Sequence, residues 1–171
     1  MTPGQKEEWL TRSMAEHGTP LLRMAYVYLG DRALAEDAVQ ETFLKAYRAL
    51  DRFRGESSER TWLTRIAMNT CVSMRRTAWM RTVWSSPALE ALPEPAGEDE
   101  RRDDTVLQAV MALPDKLKQV VLLRYYRDMK VSEVAEALRI SPNAVSVRLG
   151  RARSQLRAAL KGWYFDAEPN P

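Results

Sequence analysis

Residues 131–161 read VSEVAEALRISPNAVSVRLGRARSQLRAALK, and this stretch decides the fold. Val134, Ala135 and Leu138 recur at helical spacing behind Ser132, a residue type that caps helix N-termini by accepting a backbone N–H. Arg139 and Ile140 leave room for a tight turn only. Ser141 then caps a second helix, with Pro142 at its first position, where the missing N–H costs nothing. Two helices joined this tightly, the first of them short, describe a helix-turn-helix. At roughly 100° per residue, Val145, Leu149, Ala152 and Leu156 stack on one side, which must pack on the preceding helices. Asn143, Val147, Gly150, Arg151 and Ser154 face the other way, and Ser146, Arg148 and Arg153 lie on the flanks.

From Arg139 to Lys161 there are six cationic residues and no acidic one. The whole chain carries a net charge of only +3. A charge run is ordinarily a solvated face. Here it coincides with a capped second helix after a tight turn, and that points to duplex DNA. Arginines on such a helix pair with phosphates, or bidentately with guanine in the major groove. Gly150 would let the helix backbone approach DNA closely, and Val147 is placed to touch a thymine methyl group.

Outward from this motif the chain is helical throughout. Val106, Val110 and Leu113 form a short stripe, Pro114 suits a first helical turn, and Leu117, Val120, Val121, Arg124 and Tyr125 follow. Together these make a block over residues 103–163, followed by a frayed tail over 164–171. Before it, residues 85–102 hold Pro87, Pro93, Pro95 and Gly97 among many acids, which reads as an exposed, flexible acidic linker. Residues 1–84 form a first block. There Leu21, Leu22, Ala25, Tyr26 and Leu29 recur at helical spacing, Gly30 ends the run as a C-cap does, and Asp31 caps the next helix. That helix carries Leu34, Ala38, Val39, Thr42, Phe43, Ala46, Tyr47 and Leu50 as one broad stripe. A Gly/Ser turn, Arg54 to Ser58, leads to a third helix from Thr61 to Arg76. No alternating strand pattern occurs, so the fold class is all-α, with two small helical domains.

Composition narrows the chemistry. With one cysteine, Cys71, and one histidine, His17, the chain can make no internal disulfide and no metal site of several Cys/His ligands. Cys71, in a helical pattern beside Ile66 and Ala67, reads as a buried structural thiol, a redox sensor being the alternative. His17 precedes Gly18 and is expected near a helix end. There is no Gly-rich phosphate loop, and paired acids such as Glu36 and Asp37 lie on a helix surface, so no enzyme, cofactor or small-molecule substrate is expected. The N-terminus, MTPGQKEEWL, lacks the apolar core of a signal peptide, and no apolar run is long enough to insert in a membrane. A cytoplasmic protein is expected.

Four segments in order, YLGDRALAEDAVQETFLKAYRALDRFRG, TWLTRIAMNTCVSMRR, LPDKLKQVVLLRYY and VSEVAEALRISPNAVSVRLGRARSQLR, with an acidic linker between the second and third, resemble the extracytoplasmic-function (ECF) group of bacterial sigma factors. The resemblance implies region 2 of a sigma factor over residues 1–84 and region 4 over 103–163. It also implies partners: RNA polymerase core, through its clamp coiled coil and flap, promoter DNA, and an anti-sigma factor. It implies transcription initiation in a stress or envelope response.

By the resemblance, Asp37, Gln40, Glu41, Leu44 and Lys45 dock on the clamp coiled coil. The stripe agrees, since it turns Val39, Phe43, Ala46 and Tyr47 inward and leaves Leu44 outward as an interface anchor. The minus-ten element would be opened, and a flipped base held, by the loop Phe53, Arg54, Gly55, Glu56, Ser57 and Ser58. Trp62, Arg65, Asn69 and Thr70 stand behind it, with Arg75 and Arg76 for phosphates. Trp62 reads equally as core. The minus-thirty-five element would be read by Asn143, Ser146, Val147, Gly150 and Arg151, with Arg148 and Arg153 nearer phosphates. Members often carry Gly-Thr where this chain has Asn143-Ala144, a basic residue at Ser146 and a bulky one at Gly150, which leaves the promoter sequence open. The linker would thread through polymerase as a phosphate-like chain. Trp79, Met80, Val83 and Trp84 read first as a cap on the first block's core and second as an inhibitor surface.

The rival is a conventional dimeric helix-turn-helix repressor or activator on a palindromic site. A helical interaction module without a DNA role is a third reading, and it has no use for the acid-free basic helix.

Overall fold

The structure is a computed structural model and describes residues 1–84 and 100–161. Among these residues there are seven α-helices and no strand. The expected tail lies outside them, as does the expected linker up to residue 99.

Helix α1 (Pro3–Leu29) opens with Thr2, whose hydroxyl accepts the Gln5 N–H at 3.2 Å while the Gln5 carboxamide accepts the Thr2 N–H at 2.9 Å. This is a capping box, which satisfies two free donors at once. The helix ends as expected at Gly30, whose φ of 70° lies in the left-handed region and whose N–H bonds Tyr26 O at 2.8 Å. It starts much earlier than the apolar run suggested, because its first half buries Trp9, Ser13 and His17 together. Polar residues on a buried stripe hide the period. His17 is therefore in mid-helix and buried, not near a helix end.

Asp31 caps α2 (Arg32–Ala49) through a 2.9 Å bond from Leu34 N–H. A 3-10 turn, Leu50–Arg52, and the loop through Gly55 lead to α3 (Glu59–Trp84). This helix runs past Arg76. Trp79 and Met80 on its extension are 66% and 53% exposed, so these two do not cap the core as first expected; the side chains of Val83 and Trp84, which shared that expectation, lie outside the described residues.

In the second block, α4 (Glu100–Met111) starts inside the stretch expected as linker. Pro114 directly precedes α5 (Asp115–Val121) rather than entering its first turn, and α5 continues as a π-helical turn, Leu122–Tyr126. Helix α6 (Val131–Leu138) is not capped by Ser132, which lies in its first turn; Glu133 instead reaches back to accept the Lys130 N–H at 2.8 Å. Arg139 (φ 55°) makes the tight turn, and Ser141 caps α7 (Pro142–Ala159) by accepting Ala144 N–H at 3.0 Å.

The two blocks pack against each other. Buried Leu63 and Met68 of α3 belong to the same apolar cluster as Leu123, Met129 and Val134. Polar bonds cross the seam: Gln119 donates to the Tyr28 hydroxyl at 3.1 Å, Arg75 to Asp115 at 2.9 Å, and Arg127 to Thr64 at 3.0 Å. A smaller cluster, Leu113, Leu117, Val121 and Ala152, ties α7 to α5.

Cys71 lies fully inside, and burial pushes its thiol up to about 12. Its full burial favours the structural reading over the redox one, since the thiolate is the reactive form and burial disfavours it. At pH 8 only about one part in ten thousand would be thiolate. We expect iodoacetamide to alkylate the native chain at least about 100-fold more slowly than the urea-unfolded chain; equal rates would show that α3 is not packed as described.

Candidate nucleic-acid and polymerase interfaces

Helix α7 behaves as its sequence pattern demands. Val145, Leu149 and Ala152 are buried, and Leu156 packs against the smaller cluster. The opposite face is open: Asn143, Ser146 and Arg151 are exposed, Val147 is 44% exposed, and a side chain at Gly150 would meet nothing within 4 Å. Arg148 is half-buried on the flank. Arg153 is exposed but donates to the Tyr125 hydroxyl at 2.8 Å, which orients it along the π-helical turn. Four arginines, Arg148, Arg151, Arg153 and Arg157, on a rod with one apolar side can meet a groove only through the other side.

On α2, Asp37, Gln40 and Lys45 are exposed, Glu41 is half-buried, and Leu44 is 50% exposed beside them. Phe43 and Ala46 are buried, and Val39 and Tyr47 are half-buried behind. Lys45 reaches Glu41 at 3.8 Å and the Thr70 hydroxyl at 3.2 Å, so the patch is one connected surface across α2 and α3.

The third set of residues is divided by the fold. Arg54, Gly55, Glu56 and Ser58 are exposed, and Phe53 and Ser57 are half-buried. Gly55 turns the loop at φ 71°, a conformation that L side chains rarely adopt. Phe53 stacks on Trp62, with ring centroids 4.5 Å apart, and Trp62 leans on Trp9 at 6.1 Å. At 6% exposure Trp62 is packed in the core in this state. Thr70 is also buried, and its hydroxyl donates to Ile66 O at 2.8 Å. Arg75 is held by Asp115 and by the carbonyls of Tyr28 and Leu29, whereas Asn69 and Arg76 are exposed. Arg65 is half-buried and pairs with Glu136 of α6 at 3.3 Å.

Behind the loop sits a cluster that sequence patterning missed. Glu59 accepts from Trp9 Nε1 and Arg12 at 3.0 Å each and from the Ser13 hydroxyl, with His17 Nε2 at 3.5 Å. Burial alone would push its carboxyl up, but those hydrogen bonds and the neighbouring cations win, and it ends below the usual range. The cluster locks α1 to the start of α3 and so fixes the loop.

A helix-turn-helix with an unobstructed basic outer face, carried beside a second helical block, defines a DNA-binding regulator of transcription. Family models narrow the class: residues 14–81 match sigma-70 region 2 and residues 103–156 match sigma-70 region 4. The chain is 30% identical to the ECF RNA polymerase sigma factor SigW of Bacillus subtilis, over 82% of this chain and 83% of that one. It is 33% identical to the ECF RNA polymerase sigma-E factor of Salmonella typhimurium, over 82% and 80%. Among solved structures it is similar to CnrH in complex with the cytosolic domain of CnrY, with 27% identity, a TM-score of 0.64, and 90% and 88% of the two chains covered. It also shares its fold with the sigma factor RpoE of Bartonella quintana, solved with the anti-sigma factor NepR, with a TM-score of 0.75 at 22% identity over 89% and 96%. The chain belongs to the sigma-70 family, in its ECF group of RNA polymerase sigma factors. Its function is that of the group, to direct core polymerase to promoters and initiate transcription.

Proposed function

We propose that this sigma factor divides initiation among three surfaces. The face of α2 formed by Asp37, Gln40, Glu41, Leu44 and Lys45 docks on the clamp coiled coil, and the second block meets the flap. The outer face of α7 fixes position on the minus-thirty-five duplex, with Ser146, Val147 and Arg151 toward bases and Arg148 and Arg153 toward phosphates. The loop 53–58 with Arg65, Asn69 and Arg76 holds the melted minus-ten strand, with Trp62 as the pillar beneath it. Thr70 and Arg75 act in that role through the geometry they maintain. The first domain comprises residues 1–84 and the second 103–163. The protein acts in the cytoplasm, performs no covalent chemistry of its own, and is held in reserve by an anti-sigma factor, as CnrH and RpoE are seen with CnrY and NepR.

The observation that carries this reading is the half-exposed Leu44 ringed by polar groups on a helix whose other side is buried. A leucine so placed gains by burial in a partner. Mixed with sigma-free core polymerase, the chain is expected to form a stable one-to-one complex and to start transcription at discrete sites. Leu44→Asp should weaken that complex by about 30-fold or more, since it places an unpaired charge in the contact. Its circular dichroism should not change. A chain that leaves initiation unchanged, or a Leu44→Asp variant that binds core like the parent, would overturn the assignment.

A further inference from the structure

The second block leaves two large aromatics at its surface: Tyr125 and Tyr126 are 51% and 41% exposed. A regular α-helix would carry Tyr125 on the stripe of Lys118 and Val121, which are both buried. The π-helical turn breaks that register. Arg127 N–H bonds Leu122 O at 2.9 Å, one residue wider than an α-helical bond, and the Tyr125 ring stands outside the core. Single π turns are rare inside helices and concentrate at functional sites.

Outside the core the ring meets two guanidinium groups. Arg124, its neighbour in the chain, lies over the ring face, 5.8 Å from the centroid. Arg153 of α7 donates from Nη1 to the hydroxyl at 2.8 Å. Ser146, Gly150 and Arg153 recur at i, i+4 and i+7, so Arg153 stands on one edge of the face that the proposed function turns to the minus-thirty-five duplex. There it is given to a phosphate, and the present inference rests on that reading. Left to itself, an exposed arginine is a long arm that loses much rotamer freedom when it settles on a ligand. A carboxylate would hold the arm, but it would also cancel the charge that attracts a phosphate. A neutral hydroxyl holds the arm and leaves the charge whole. It occupies one N–H of the guanidinium and leaves the others open.

We infer that Tyr125 is a positioning residue for promoter binding: its hydroxyl sets Arg153 in advance for a phosphate beside the minus-thirty-five element. The π-helical turn is what carries the ring to that place. Tyr125 acts only through Arg153. Tyr126, one residue on and also exposed, has no hydrogen bond to α7 among the described residues and makes a natural control.

The test uses holoenzyme and a duplex promoter fragment selected by the parent holoenzyme, with affinity measured across a range of salt. Tyr125→Phe keeps the ring beneath Arg124 and removes only the hydroxyl. It is expected to bind about fivefold more weakly, with the slope of log affinity against log salt unchanged, because Arg153 keeps its charge. Arg153→Ala should bind about 10-fold more weakly at about 0.1 M salt and lose about one ion from the slope. Adding Tyr125→Phe to Arg153→Ala should cost less than about twofold more, since the hydroxyl has nothing left to position. Tyr126→Phe should bind within about twofold of the parent. The urea midpoint and core affinity of Tyr125→Phe should match the parent's. Losses that multiply in the double variant, an equal loss in Tyr126→Phe, or a lowered urea midpoint in Tyr125→Phe would overturn the positioning role. If Arg153→Ala weakens binding and Tyr125→Phe does not, the phosphate assignment of Arg153 stands and only the positioning role falls. If Arg153→Ala itself binds like the parent with an unchanged slope, that assignment is wrong and the positioning role falls with it.

Discussion

Holoenzyme assembled with Arg148→Glu/Arg151→Glu is expected to initiate at least about 100-fold less often than the parent, on promoters selected from a random-sequence library by the parent holoenzyme. A single good bidentate contact to a base is worth about 1–3 kcal/mol, and reversing a charge adds repulsion from the phosphates. Arg151 is exposed and Arg148 sits half-buried on the flank, so neither belongs to the apolar side that seats α7. The fold should therefore survive, and with it the affinity for core polymerase, for which the proposed anchor is on α2. Arg153 is left out because its bond to Tyr125 would mix a structural change with a DNA effect. Arg151→Ala alone should relax preference at one base position, whereas Arg148→Ala should weaken all sites alike and reduce the salt dependence of binding by about one ion. A double variant that retains more than about a tenth of parental initiation would mean that α7 does not read the promoter.

What the amino-acid pattern made legible is what local chemistry decides. Gly30, Asp31, Ser141 and Pro142 all do what their residue types suggest, because a cap needs only its own neighbours. The buried side of α7 follows from spacing alone, with no polar residue interrupting it. Ser132 was a weaker signal: Glu133 offers its carboxylate to Lys130 N–H one residue earlier, and an acid at that position competes well for a free donor. The first half of α1 was not legible as a helix, since Ser13 and His17 are buried only because Glu59, far along the chain, meets them. Trp79 and Met80 misled because large apolar residues at helical spacing usually find a core, and here α3 has outrun the helices it packs on. The seam between the blocks was the least legible feature. Arg127 sits in a stretch, Arg127-Asp128-Met129-Lys130, whose charges look solvated, and nothing nearby in sequence announces that Thr64 awaits it. The two domains were legible, but nothing in the acidic stretch between them announced that buried residues of both belong to one apolar cluster. The candidate site was legible in the same measure. The faces of α2 and α7 were open to reading because each depends on one helix, while the loop 53–58 depends on four elements meeting.

Trp62→Ala is expected to destabilise the chain by about 3–5 kcal/mol, the range for removing a large buried aromatic from a core. The ring is 6% exposed and packs on Phe53 in a 24° stack and on Trp9 at a 59° tilt. Its loss leaves a cavity that Leu63, fully buried on the same helix, cannot fill without moving α3. Against a typical total of about 5–15 kcal/mol, such a change lowers the urea midpoint by about 2 M for a typical slope. Trp79→Ala serves as the contrast. That ring is 66% exposed, and its removal should shift stability by no more than about 0.5 kcal/mol. A third variant separates packing from base contact. Trp62→Phe keeps most of the apolar volume and a ring for Phe53 to stack on, so it should recover most of the stability and, with it, promoter opening. If Trp62→Phe is stable but opens promoters no better than Trp62→Ala, the indole itself touches the melted strand, and Phe53 must swing away from its 4.5 Å stack to admit a base. If Trp62→Ala costs less than about 1 kcal/mol, the aromatic stack does not support the loop, because a buried ring that packs on two others cannot be removed so cheaply.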